Sequence, residues 1–126
     1  MKEIIAIIRM NKVNETKKAL ADIGICGLHV IKAMGRGKVP VDFSILNDPG
    51  IREEYGSIVE EGILLGGRLI PKRLFTILAH EDQIHDIVQT IIQVNSQGRS
   101  GDGKIFICPL LDVVRIRTGE RGETAI

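Results

Sequence analysis

Apolar residues recur along this chain with two different periods, and the order in which those periods follow one another predicts its organisation. Lys2 to Arg9 is a short branched run centred on Ile4-Ile5-Ala6-Ile7-Ile8, as expected of a strand in the middle of a sheet. Asn11 can cap the next segment, where Val13, Leu20 and Ile23 mark one helical face and Gly24 supplies a stop. Leu28 to Met34 reads as a second strand running into Gly35-Arg36-Gly37, and Leu69 to Ala79 as a third after a long central stretch. From Asp82, a second candidate cap, Ile84, Ile87, Val88, Ile91 and Ile92 fall at i, i+3, i+4, i+7 and i+8. That spacing predicts an amphipathic helix ending at Gly98. Lys104 to Cys108 and Val113 to Arg117 read as the closing strands, interrupted by Pro109.

The order β-α-β, long connection, β-α-β predicts the ferredoxin-like, split βαβ form of the α+β class: an antiparallel sheet with two helices on one face. The helices cover one face only. Because positions 4–8 are apolar at both parities, the other face is expected to meet another chain rather than water.

Composition narrows the class without naming a chemistry. A chain of 126 residues is expected to form a single domain over 1–126 with a core of its own. Aromatics make up 3% of it, so that core must be built from Ile, Val and Leu. A net charge of +1 gives no general attraction to nucleic acid or anionic membrane. No apolar run reaches the roughly 18 residues needed to cross a bilayer, and Lys2-Glu3 leading straight into a strand pattern is no signal peptide; the cytoplasm is the expected compartment. Cys26 and Cys108 lack C-x-x-C spacing and read as small buried thiols. His29, His80 and His85 have no metal-ligand spacing on a helix, which gives no reason to assign a metal site or a catalytic role.

The chemistry concentrates near the C-terminus. Gly98-Arg99-Ser100-Gly101-Asp102-Gly103-Lys104 reads G-x-x-x-x-G-K, yet Ile105 replaces the Ser or Thr of a P-loop and the segment runs from a helix into a strand. The Walker reading therefore fails. What remains is an anion nest of glycine backbone N–H groups with Lys104 beside it; the same glycines would equally make a tight helix-to-strand connection. Arg115-Ile116-Arg117 supplies a second element. On a strand the two guanidiniums would share one face and clamp a polyphosphate, with Ile116 turned into the core; the competing reading is a solvated strand edge.

Gly101-Asp102-Gly103-Lys104-Ile105-Phe106 and Arg115-Ile116-Arg117-Thr118-Gly119-Glu120 resemble the paired B-loop and C-loop motifs of the PII nitrogen-regulatory signal proteins. The opening Met1 to Arg9, the turn Gly24-Ile25-Cys26-Gly27, the Gly35-Arg36 pair, Pro71-Lys72 and the closing Ala125-Ile126 extend the likeness. Gly35-Arg36-Gly37-Lys38, Pro71-Lys72-Arg73 and Thr118-Gly119-Glu120-Arg121-Gly122-Glu123 are most similar to the nitrogenase-associated subgroup of methanogenic archaea and some anaerobic bacteria. The stretch at about 37–69 occupies the place of the family's mobile T-loop. Asp48-Pro49-Gly50 is turn chemistry there, while Ile58, Val59, Ile63, Leu64 and Leu65 offer apolar surface for docking on a partner or for a hairpin or helix folded back on the domain. Tyr55, the single tyrosine, lacks the flanks of the family's nucleotidylation motif and reads as a packing or contact residue.

The resemblance implies a nonenzymatic transducer that binds ATP or ADP with 2-oxoglutarate between the subunits of a trimer. It assigns phosphates to Gly101, Asp102, Gly103 and Lys104 of one subunit and to Arg115 and Arg117 of the next. Gly35 and Arg36 would close over them, with His29, standing where a threonine is usual, near the base. Ile7, Thr76 and Leu78 would line the adenine, and Lys72 would pair with a 2-oxoglutarate carboxylate beside Gly37, Lys38 and Gly101. Gly37 stands where many members carry a glutamine that helps ligate Mg²⁺, so this side chain cannot serve a metal-bridged effector. The implied partners are a sister PII chain and the dinitrogenase component of nitrogenase, with no nucleic acid and no membrane insertion. Ordering a loop residue costs about 1–2 kcal/mol, and a micromolar ligand supplies only about 8; ligands can thus set the loop base and leave the tip to fold on its target. Two other readings stay open: a PII-like regulator of a different target such as a transporter, and a nucleotide-dependent enzyme, against which stands the lack of a nucleophile and base pair in the sequence.

Overall fold

The computed structural model describes residues 1–37, 49–50, 52–53 and 69–126. Lys38, Tyr55 and nearly all of the central segment lie outside them.

Strand β1 (Lys2–Ile8) is followed by a 3₁₀ turn, Met10–Lys12, and helix α1 (Val13–Asp22); strands β2 (His29–Gly35) and β3 (Ile70–Ala79) come next. A second 3₁₀ turn, Glu81–Gln83, leads into helix α2 (Ile84–Asn95), and β4 (Lys104–Pro109) completes the sheet. The strands lie in the order β2-β3-β1-β4, all antiparallel. This is the ferredoxin-like order expected from the pattern of elements.

The two parities of β1 separate cleanly. Ile4, Ala6 and Ile8 are buried against Leu20 of α1 and Ile87 and Ile91 of α2, with Phe75, Ile77 and Ala79 of β3 beside them. The opposite parity, with Ile5 and Ile7 on β1, forms a face without helices. Its register places Lys104-Ile7-Leu74-Ile31 in one rung across the sheet and Phe106-Ile5-Thr76-His29 in the next.

Helix ends differ in detail from the sequence expectation. Gly24 stops α1 as expected: at φ 85° its N–H donates to Ala21 O at 2.9 Å and that of Ile25 to Leu20 O at 2.9 Å, the paired bonds of a Schellman turn. Asn11 lies inside the first 3₁₀ turn and makes no cap. At the second helix the role expected of Asp82 falls to Gln83, whose Oε1 accepts from the His80 N–H at 3.1 Å. Helix α2 ends at Asn95 rather than near Gly98, and Ser96 takes an extended conformation.

One polar contact crosses the helical layer. The Asn95 Nδ2 group donates to Thr16 Oγ1 at 3.0 Å and to Ile91 O at 2.9 Å, and Thr16 Oγ1 donates to Lys12 O at 2.7 Å. Both side chains are buried.

The segment Val113–Arg117 is not a strand. Among the described residues its pairing is a single bridge, Val114 to Arg121, and Ile116 is fully exposed instead of entering the core. The cause is local. Gly119 and Gly122 adopt φ of 72° and 70°, conformations that suit turns. Backbone bonds from Gly119 N to Arg115 O at 2.8 Å and from Arg115 N to Glu120 O at 2.9 Å close a hairpin. Cys26 is likewise exposed and Cys108 only partly covered, so the expectation of two buried thiols does not hold.

Ile87 is wholly buried between helix and sheet. Replacing it with alanine should cost about 2–5 kcal/mol of stability, read as a lower denaturation midpoint with the slope unchanged.

Candidate functional site

The α2–β4 connection is shaped around one carboxylate. Asp102 accepts hydrogen bonds from the backbone N–H groups of Gln97 at 2.8 Å and Arg99 at 3.2 Å, and pairs with the Arg9 guanidinium at 2.5 Å. Arg9 extends to Gln97 Oε1 and to Ser100 O, each at 3.1 Å. Together these bonds fold the loop back onto the end of β1. The amides of Gln97 and Arg99 and the guanidinium beside them hold the Asp102 carboxyl down at about 2.

Gly103 sets the distance between loop and sheet. Its φ is 123° and a Cβ there would lie 2.1 Å from Ile7 O, so only glycine fits this approach. Gly101, at φ 89°, lies where a Cβ would come within 3.4 Å of the Arg9 guanidinium and 3.9 Å of the Lys72 ammonium. Lys72 donates to Gly101 O at 3.0 Å. Burial and the neighbouring Arg9 charge lower the Lys72 pKa, and Asp102 partly restores it. Lys104 opens β4 in register with Ile7 and is exposed. Lysines 72 and 104 with Arg9 therefore gather at one end of the open sheet face, where Asp102 is already bonded to backbone amides.

The C-terminal hairpin is organised by acids that the sequence reading passed over. Asp112 accepts from Arg121 Nε at 3.1 Å and Nη2 at 2.8 Å, and from the Val113 and Gly122 N–H groups at 2.8 and 3.2 Å. These bonds, Arg121 foremost, lower its pKa. Arg115 is held by Glu120 Oε2 at 2.5 Å and by Thr124 O at 3.1 Å. Its neighbour Arg117 is exposed and makes no ion pair or side-chain hydrogen bond among the described residues. The two arginines thus do not form the matched pair that a strand would have given: one is tied within its own hairpin and the other is available.

Residues 1–120 match the family model described as nitrogen regulatory protein P-II. The chain belongs to the P-II family. A relative from Methanobacterium ivanovii, "Nitrogen fixation nifHD region GlnB-like protein 2", is 43% identical over 131 aligned positions, which cover 100% of this chain and 99% of the relative. A protein of the same description from Methanothermococcus thermolithotrophicus is also 43% identical, over 128 positions covering 100% of this chain and 98% of its own length. "Nitrogen regulatory protein P-II 1" of Methanothermobacter thermautotrophicus is 38% identical over 126 positions, covering 100% and 97%.

In this P-II chain the residues assigned by resemblance fall into three groups. Ile7, His29, Thr76, Leu78 and Lys104 all project from the open face, with Thr76 between Ile5 and His29 and Ile7 beside Lys104. Lys72, Gly101 and Gly103 converge at the end of that face, one register step beyond, where Lys72 opposes Ala33 and Gly35 ends β2. Arg36 and Gly37 follow Gly35 and are exposed, whereas Arg115 and Arg117 belong to the separate hairpin. Asp102 fills the amides of its own loop. Arg9 was missed by motif reading, although its place one residue past β1, beside the strand that the glycine loop enters, was a usable signal.

The depressed Asp102 pKa carries a pH dependence with a definite sign. Below the ordinary carboxyl value of 3.8 the unfolded chain takes up a proton while the folded loop resists doing so down to about 2. The loop's stabilisation is thus present above 3.8 and lost as pH falls through about 2. The amide NMR signals of Gln97 and Arg99 should titrate with a midpoint near 2, and Asp102→Asn should abolish that titration.

Proposed function

We propose that this P-II protein is a nonenzymatic transducer of nitrogen status that binds ATP or ADP together with 2-oxoglutarate and passes the result to a partner through the segment between Gly37 and Leu69. The observation that carries the proposal is the convergence of Lys72, Gly101, Gly103 and Lys104 at one end of an apolar sheet face. Phosphates and a dicarboxylate both require what that corner offers: backbone amides at glycine turns and compact ammonium charges. The face beside it, with Ile7, Thr76 and Leu78, is apolar enough to take a purine ring.

The same face argues for self-association. Ile31 is 52% and Phe106 44% exposed on the single chain, and a sheet face of this kind is costly to leave in water. A trimer, as the family resemblance implies, would bury it and bring Arg117 of one subunit toward the glycine loop of another. A sister chain in the same assembly is compatible with this arrangement. The described residues contain no group of three or more His, Cys, Asp or Glu able to hold a metal ion, and Gly37 has no side chain to add. The nifHD-region description of the relatives supports nitrogenase as the partner whose activity is restrained. Among the described residues no helix is long and apolar enough to cross a membrane.

Charge-assisted hydrogen bonds contribute about 1.5–3 kcal/mol each, so Arg117→Ala should weaken ATP binding roughly ten- to a hundredfold by calorimetry. Unchanged affinity would remove the hairpin from the site.

Lys72→Ala should abolish the effect of 2-oxoglutarate on ATP binding while preserving most nucleotide affinity. In the unaltered protein 2-oxoglutarate affinity should decline with rising pH before it reaches the ordinary lysine value of 10.5, because the Lys72 pKa is lowered. A titration in which 2-oxoglutarate neither binds nor alters ATP affinity would overturn its assignment as effector.

A further inference from the structure

The glycine loop borders a cleft of about 350 Å³ between α2 and β4, with Asn95, Asp102, Gly103 and Lys104 among the residues that line it. A segment beside open space cannot take its position from close packing alone, so polar bonds must help to set it. Two sets of such bonds come from the same stretch of chain. Arg9 holds the far part of the loop through Asp102 and Ser100 O, and Thr16 of α1 holds its start through Asn95.

Asn95 is the last residue of α2, and Ser96 already leaves the helix. Its amide has one orientation: Ile91 O can only accept a hydrogen bond, and it faces Nδ2 at 2.9 Å. The same Nδ2 donates to Thr16 Oγ1 at 3.0 Å. Oδ1 is thereby left buried with no hydrogen-bond partner among the described residues. A buried oxygen without a donor lowers stability by its desolvation cost, which an aliphatic side chain at 95 would avoid. Nor does Thr16 depend on the amide, because its hydroxyl already donates to Lys12 O at 2.7 Å, one turn back. Stability does not account for this pair.

We infer that Asn95 is a positioning residue for the glycine loop: its bond to Thr16 fixes where the loop leaves α2, at a cost in stability, and so presents Gly101, Gly103 and Lys104 to an anion in a preset arrangement. A loop that is set beforehand loses less freedom when its ligand arrives, and affinity rises accordingly. The binding consequence rests on the reading of this loop as a phosphate site.

The test uses the full chain. Thr16→Val combined with Asn95→Leu removes both polar groups, and its denaturation midpoint should equal or exceed that of the unaltered protein. The Gln97 and Arg99 amides are bonded to Asp102, and in the double variant without ligand they should exchange hydrogen about tenfold faster. ATP affinity, read by calorimetry, should fall by about three- to tenfold. Thr16→Ser should do the converse: the lost methyl lowers the midpoint, while the retained hydroxyl keeps loop exchange and ATP affinity as they are. A merely structural pair would move stability, loop and affinity in one direction. Unchanged loop exchange in the double variant overturns the inference, as does a lowered midpoint, or faster exchange with undiminished ATP affinity. If the unaltered protein binds no ATP, the phosphate reading is what fails, and the ligand-free exchange still decides whether Asn95 positions the loop.

Discussion

The carboxylate of Asp102 is the interaction on which the arrangement of this molecule depends most. It neutralises Arg9 at the end of β1, gathers two amides of the α2–β4 loop, and faces Lys72 on β3 closely enough to act on its ionisation. Three segments distant in sequence meet there. Without an anion at that point, two cations would crowd the same few ångströms, and only the bonds from Arg9 to Gln97 and Ser100 and from Lys72 to Gly101 would hold the glycine loop against the sheet. The acid is thus an internal counterion that allows a positively charged corner to exist before any ligand reaches it.

A second constraint is the one-sided placement of the helices. The sheet order β2-β3-β1-β4 puts β1 and β3 in the centre, and both carry aliphatic residues at both parities. One parity makes the core; the other is left as surface. The cationic corner of Arg9, Lys72 and Lys104 lies where that surface meets the glycine loop, so the exposed apolar face and the charged corner adjoin each other.

Much of this was legible before the fold was known. The strand at 2–8 and the helix at 84–95 follow from uninterrupted periods, and Gly24 from its position at the end of one. The corner itself was legible as a glycine-rich segment with a lysine. The hairpin was not. Alternation at Val113-Arg115-Arg117 resembles a strand, but Gly119, Gly122 and the acids Asp112 and Glu120 offer nearer hydrogen-bond partners than a neighbouring strand does, and local closure wins. Asp102 illustrates a different limit: a glycine-rich motif does not reveal that a carboxylate inside it bonds the amides of its own loop. Arg9 escaped notice because its partner is 93 residues away, a distance no local pattern spans.

The buried bond between Asn95 and Thr16 has a consequence for how the two halves of the chain are aligned. Aliphatic side chains alone would let α1 and α2 slide past each other with small changes in contact. An amide that meets its hydroxyl at only one offset restricts that freedom, since any other offset gives up the bond between the two helices. The connection that carries Gly98 to Gly103 begins one residue after Asn95. Its starting point is therefore indexed, like the zero of a vernier, to a helix in the first half of the chain, and the spacing between β1 and the glycine loop is measured from both ends at once.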